Sequence, residues 1–368
     1  MIDNRLEKLA TILTRYSLHL EKNDLFRISG SYLAAPLIQE VYRQAVKLGA
    51  HPFTHIGIDG LSETYYRHAS EQQLTYVSPL SKFEIEQIDA SLSIISPENT
   101  RNMTNVDPKK QAMSSAAHHQ IHEIFLNRAA KQELRWCVTQ YPTQSSAQDA
   151  EMSLAEYENF VFHAAHVQAK DPIQYWRTVH RDQEKIRTFL NKKKILHVIA
   201  KNTDLTVSVA GRTWINCSGR ENFPDGEVFT GPTETSAEGH ISYSFPGSYN
   251  GREVNDIELY FKKGAVVKAT ASKGENLLRT MLAMDPGAKR LGEFAFGTNY
   301  GVKNYTKNTL FDEKIGGTIH LAVGSGYPET GSKNKSSLHW DMVCDLRKNG
   351  EVYADDELIY KNGRFLNL

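Results

Sequence analysis

The sequence predicts an α/β N-terminal domain with a mostly parallel sheet, followed by a β-rich α+β C-terminal domain. Three observations predict this. Helix and strand signals alternate through the first half. After about residue 193 the chain changes to short strand-like runs separated by Gly, Asn, Asp and Pro. At 368 residues it exceeds one typical core, which suits a division into residues 1–192 and 193–368.

In chain order, Leu6, Leu9, Ile12 and Leu13 fall at helical spacing and define an amphipathic opening helix. Glu7, Lys8 and Arg15 interrupt it, so it does not read as a signal peptide. Leu25–Gly30 reads as a strand ending in glycine. Ala34–Leu48 is a helix stopped by Gly49. His51–Ile58 is strand-like and a helix follows from about Ser62. The Thr75–Val77 stretch, Phe83–Ala90 and Ser91–Ile95 continue the mixture, and residues 107–130 look helical. Ser153 and Glu156 form a capping box that opens another helix. A charged amphipathic helix runs from Pro172 to about Lys194, with Lys192, Lys193 and Lys194 well placed on its dipole.

In the second half, Ile195–Ala200, Leu205–Ala210, Ile241–Phe245, Ile257–Tyr260, Val266–Ala269, Phe294–Phe296, Ile319–Val323 and Leu338–Val343 read as strands. Asn276–Met284 is the clear helix among them, and pairing is expected to be mixed or antiparallel.

Lys plus Arg equals Asp plus Glu, at 43 each, which leaves no basic excess for a nucleic-acid footprint. No segment approaches 18 consecutive apolar residues, so no membrane span is expected. Cys137, Cys217 and Cys344 are few, odd in number and widely spaced. They imply neither a disulfide framework nor a four-thiolate zinc site, and they suit a reducing, cytoplasmic setting.

The chemistry-bearing residues lie in the second half. Glu227, Glu293, His320, His339 and Asp341 each interrupt or border a short apolar segment. A carboxylate or imidazole buried there needs a partner. Two Glu, two His and one Asp suffice for two divalent ions sharing a carboxylate. On a strand, His339 and Asp341 share a face while Trp340 points away. Oxygen and nitrogen donors without thiolate suit Zn, Co or Mn. His118 and His122 have i,i+4 spacing but no intervening glutamate of the HExxH kind. They read as a polar helix face, as do His163 and His166. No GxGxxG or Walker lysine follows Gly30-Ser31, so dinucleotide binding is not expected.

The stretch Asn222-Phe223-Pro224-Asp225-Gly226-Glu227-Val228-Phe229-Thr230-Gly231-Pro232 resembles the metal-site signature of the aminopeptidase T/aminopeptidase S metallopeptidases. Leu291-Gly292-Glu293, His320 with Tyr327 beyond it, and His339-Trp340-Asp341 resemble that family in the same order. So do Tyr16-Ser17-Leu18, Ala35-Pro36-Leu37, Gly49-Ala50-His51-Pro52 and Met152-Ser153-Leu154 in the first half. The resemblance runs nearly end to end.

It implies a cytosolic exopeptidase that takes peptide substrates, with two divalent ions (Zn, Co or Mn) per subunit, and assembles as a homodimer around an enclosed cavity. By matching position, Glu227, Glu293, His320, His339 and Asp341 become metal ligands carried by the C-terminal domain. Glu293 and Tyr327 become the catalytic side chains. Either Glu293 or Asp341 is expected to bridge the ions, while Tyr327 stabilises the oxyanion. Glu227, Glu329 and Glu253 stand open as proton carriers. Two other readings stay open: a different binuclear hydrolase (an amidase or phosphoesterase), and a non-catalytic peptide-binding protein stabilised by metal.

Overall fold

The structure is a computed structural model that describes residues 3–249 and 251–367. The chain divides into two compact units, Met1–Ile173 with Gly219–Phe223, and Gln174–Ser218 with Pro224–Leu368. The Pro172–Leu190 helix thus falls almost wholly in the second unit. Its Leu190 lies in that unit's core, with Ile186 and Phe189 packed against it.

The first unit is the expected α/β layer structure. Its five strands are all parallel, in the spatial order His51–Gly57, Leu25–Ser31, Ala90–Ile95, Arg135–Gln140 and Asn222–Phe223. The Ala35–Leu48 helix carries Pro36 in its first turn, which needs no intrahelical N–H there. Gly49 closes it at φ 83°, where a side chain would be strained. Its Leu37, Ile38, Val41 and Ala45 are buried, and it packs against the opening helix Asn4–Ile12 through the latter's Leu6, Leu9 and Ile12 face. Gly30 sits where an added Cβ would crowd Ile94, and the neighbouring Ser31 hydroxyl donates to the Ser96 carbonyl.

The helical stretch expected over 107–130 is two helices, Pro108–Ala117 and His119–Ala130, with His118 at the junction. His118 Nδ1 lies 2.8 Å from the Ser114 carbonyl, while the His122 ring stacks on Phe125. The two imidazoles therefore have separate local partners.

The second unit is strand-rich, and its named strands pair antiparallel throughout. Eight strands form one sheet, in the order Ala265–Thr270, Glu258–Lys262, Glu238–Ser242, Thr203–Ser208, Ile195–Ala200, Glu351–Ala354, Glu357–Lys361 and Arg364–Phe365. A second sheet has the order His339–Asp345, Thr318–Gly324, Leu291–Gly297, Glu227–Thr230 and Ile215–Cys217.

One apolar core joins the two sheets. Leu196, Val198, Leu205, Val207, Ile241 and Leu259 come from the first, and Val228, Phe294, Phe296, Ile319, Leu321 and Met342 from the second. Trp214 meets Phe294 and Phe296 with ring centroids 6.3 and 6.0 Å away, contacts worth about 0.5–1.5 kcal/mol each beyond simple area burial. Burying one face of the five-stranded sheet this way commits its other face, residue by residue, to whatever alternates with the core. Among the described residues, no helix is long and apolar enough to cross a membrane.

Candidate metal centre

Strand alternation builds the site. On Thr318–Gly324, Ile319, Leu321 and Val323 enter the core, which turns His320 and Ala322 to the opposite face. On His339–Asp345, Trp340, Met342 and Cys344 are core, and His339 and Asp341 are turned away. Phe294 and Phe296 do the same for Glu293 and Ala295, as Val228 does for Glu227.

Register then aligns the polar residues across strands. Ala322 pairs with Glu293 on one side and Asp341 on the other, and Ala295 pairs with His320 and Phe229. Two fully buried alanines thus sit between the longer side chains, and their small size leaves room above the sheet. Gly226, just before Glu227, has φ 128° and lies where a Cβ would come within 2.7 Å of Asn299 Cβ. Only glycine permits that turn into the strand. The backbone carbonyl of Glu227 accepts from Gln183 Nε2, a side chain almost wholly buried.

All five residues singled out in the sequence come together as two overlapping groups, Glu227–Glu293–His320 and Glu293–His339–Asp341. His320 Nε2 is 3.3 Å from Glu227 Oε2 and 3.3 Å from Glu293 Oε1. His339 Nε2 is 3.5 Å from Glu293 Oε2 and 3.2 Å from Asp341 Oδ2. Glu293 therefore turns one oxygen to each imidazole. The Ser325 carbonyl accepts from His339 Nδ1 at 2.8 Å, which fixes the ring and frees Nε2 to coordinate.

Tyr327 also arrives at the site. Its ring meets His339 edge-on at 5.4 Å and Phe229 at 5.3 Å. Gly324, at φ 103° and packed against the Leu338 carbonyl, ends the strand and starts the loop that carries it.

The five side chains perturb one another strongly. Burial works against charge on His339, but Asp341 and Glu293 beside it lift its pKa to about 10. Against the same opposition from burial, Glu293 and Glu227 lift His320 to about 9. Burial pushes Glu293 up, while His339 outweighs burial at Asp341 and holds that carboxyl well below its usual range. Desolvation, reinforced by Glu293 and Asp341, raises the Tyr327 phenol far above its ordinary value, so it stays a hydrogen-bond donor.

A divalent ion fits this donor set. Glu227 Oε2 and Asp341 Oδ1 are buried without hydrogen-bond partners, as carboxylate oxygens awaiting a cation would be. Of the carboxylates considered for proton transfer, Glu253 is held by Lys307 at 3.0 Å and Lys273 at 3.5 Å, Glu227 is held by Lys314 at 2.8 Å, and Glu329 is exposed next to Tyr327.

Sequence reasoning missed Glu313 and Lys314. Lys314 is buried, and its Nζ also lies 2.8 Å from Glu313 Oε2. Burial opposes its charge, but Glu227 and Glu313 more than compensate and hold the ammonium form. Burial raises Glu313 to about 8. A Glu-Lys pair ahead of two glycines resembles a surface turn, and only its position beside Glu227 shows otherwise.

The preceding short helix, Thr309–Asp312, ends in a buried carboxyl that accepts from the Thr306 amide at 2.7 Å and its hydroxyl at 3.0 Å. Burial outweighs these bonds and pushes Asp312 up to about 7 from 3.8. A carboxyl raised on folding contributes fully below the unfolded value, and that contribution is lost as pH rises through about 7. Urea titrations at successive pH values should therefore show wild type losing stability relative to Asp312→Asn between pH 4 and 7, by on the order of a few kcal/mol. A constant difference across that range would show that burial does not hold this proton.

The sequence profile of the thermophilic metalloprotease (M29) family matches residues 2–365. The chain belongs to this family. It is accordingly a metallopeptidase, with a divalent metal cofactor. It is 28% identical to aminopeptidase 2 of Geobacillus stearothermophilus over 91% of this chain and 87% of that one. With aminopeptidase AmpS of Bacillus subtilis it shares 30% identity, covering 75% and 76% of the two chains. The solved structure of wild-type AmpT from Thermus thermophilus superposes with a TM-score of 0.86 at 25% identity, over the full length of both chains. The α/β first part and strand-rich second part are thus the fold of that protein.

Proposed function

We propose that the chain removes N-terminal residues from peptides at a pair of divalent ions held by Glu227, Glu293, His320, His339 and Asp341. It is a metal-dependent aminopeptidase, a hydrolase of peptide bonds, as its family and its relatives' activities indicate. The observation that carries the two-ion reading is Glu293, which belongs to both ligand groups and gives one oxygen to each. That favours Glu293 over Asp341 as the bridge.

Bound ions of this kind polarise a carbonyl and bring the pKa of water toward neutrality. The chain's own residues do the rest. Glu293 holds the two halves of the site at a fixed spacing, and the Ser325 carbonyl orients His339. Tyr327 keeps its proton and donates a hydrogen bond to the oxygen that becomes negative as the peptide carbon turns tetrahedral. Tyr327→Phe is expected to lower kcat about 10²–10³-fold with metal content unchanged. An unaltered kcat would remove Tyr327 from the chemistry.

Zinc, cobalt and manganese all suit the donors, and the ion carried in the cell follows supply. A homodimer belongs to this reading. Its support is the family resemblance, together with Ile58, Leu61, Leu80 and Phe83 exposed on the first unit. A cytoplasmic setting is supported by cysteines that are few, odd in number and widely spaced in the sequence.

A matched set of free and Nα-acetylated peptides tests the function. Release of the first residue from free peptides alone is the expected result. Equal cleavage of acetylated peptides would favour an amidase. Metal that raises the melting temperature without hydrolysis of any peptide would favour a binding protein.

A further inference from the structure

We propose that Lys314 is a positioning residue that restricts Glu227 to one coordinating oxygen, and so sets the metal affinity of the Glu227–Glu293–His320 group. The inference rests on the two-ion reading given above.

The two oxygens of Glu227 have different surroundings. Oε1 accepts from Lys314 Nζ at 2.8 Å. Oε2 has no hydrogen-bond partner and lies 3.3 Å from His320 Nε2, on the side of the candidate ion. Left to itself, a carboxylate can rotate and offer both oxygens to a cation. Here an ammonium group occupies Oε1 and repels a second cation from it, so Oε2 alone is available.

Lys314 can do this because it cannot withdraw. It is 1% exposed, so there is no solvent for its charge to reach. Its amide donates to the Phe311 carbonyl at 3.0 Å, and its carbonyl accepts from the Asn299 amide at 3.0 Å. Asn299 is itself the residue against which Gly226 packs, so the lysine and Glu227 are referred to the same piece of backbone. Glu313 completes the arrangement. Its Oε2 lies on the other side of the ammonium at 2.8 Å, so Nζ is held between two carboxyl groups and stays directed at Glu227.

The test is calorimetric titration of metal-free protein with Zn²⁺ and, separately, Co²⁺, with bound metal counted by elemental analysis. Wild type is compared with Lys314→Met and with the double variant Glu313→Gln/Lys314→Met, which removes both partners of the 2.8 Å contact. Wild type should bind two ions per chain. Both variants should bind one ion as wild type does and the other with an affinity altered about 10–100-fold, the usual size of effect for removing a group that orients a ligand. The Co²⁺ visible spectrum should change at the altered site, because a two-oxygen Glu227 raises the coordination number.

Two unchanged affinities in both variants, with wild type binding two ions, would overturn the role of Lys314 and leave the two-ion reading intact. An equal change at both sites, or loss of both through misfolding of the double variant, would also overturn it, since the lysine would then serve the fold in general. Wild type binding fewer than two ions would defeat the two-ion reading itself, and this inference with it.

Discussion

Glu293→Gln should reduce peptide turnover by at least about a thousand-fold, which corresponds to the several kcal/mol of transition-state stabilisation that a correctly held metal supplies. The fold should survive unharmed. Glu293 is almost wholly buried, and burial already penalises its charged form, so a neutral amide of the same shape relieves a cost in the metal-free protein. The signature is therefore lost activity together with an unchanged circular dichroism spectrum and a metal-free melting temperature at or above wild type. Because Glu293 turns an oxygen to each imidazole, binding at both ion positions should weaken together. That separates it from the Lys314 variants, where one position is spared. Wild-type turnover in Glu293→Gln would reject the assignment of this side chain.

Removing the metal should abolish activity and lower stability. The site concentrates Glu227, Glu293, Asp341 and Glu313 around two imidazoles and one buried ammonium. Without cations these carboxylates depend on protonated histidines for compensation, which accounts for the raised pKa of both rings. Ions that bind only the folded chain add about 4 kcal/mol at a thousand-fold excess over their Kd, so dialysis against a strong chelator should lower the melting temperature by several degrees. Zn²⁺, Co²⁺ or Mn²⁺ should restore both properties. Full turnover after confirmed metal loss would contradict the family's chemistry in this chain.

Much of the site was legible because strand alternation is a local property. The His339-Trp340-Asp341 triplet already places two candidate ligands on one face and the indole in the core, and the structure has that arrangement. Glu227 and Glu293 could be named from their contexts, but their approach depends on register. The pairing of Ala322 with Glu293 and Asp341 is written nowhere in the local sequence. Glu313 and Lys314 escaped for a different reason: a charged pair in a turn normally faces water, and only long-range packing makes these two buried partners.

The same limit applies to the fold. The Arg135–Gln140 strand is hidden in the sequence, because its buried Thr139 and Gln140 read as surface residues. Residues 107–130 read as helical, but nothing in their composition announces the break at His118.

The most direct test of the central claim is anomalous diffraction from crystals of the metal-loaded protein, with data collected on both sides of the absorption edge of the bound ion. Two peaks per chain are expected, one within coordination distance of Glu227, Glu293 and His320 and the other of Glu293, His339 and Asp341, with Glu293 common to both. A single peak, or peaks that leave Glu293 out of either coordination sphere, would contradict it.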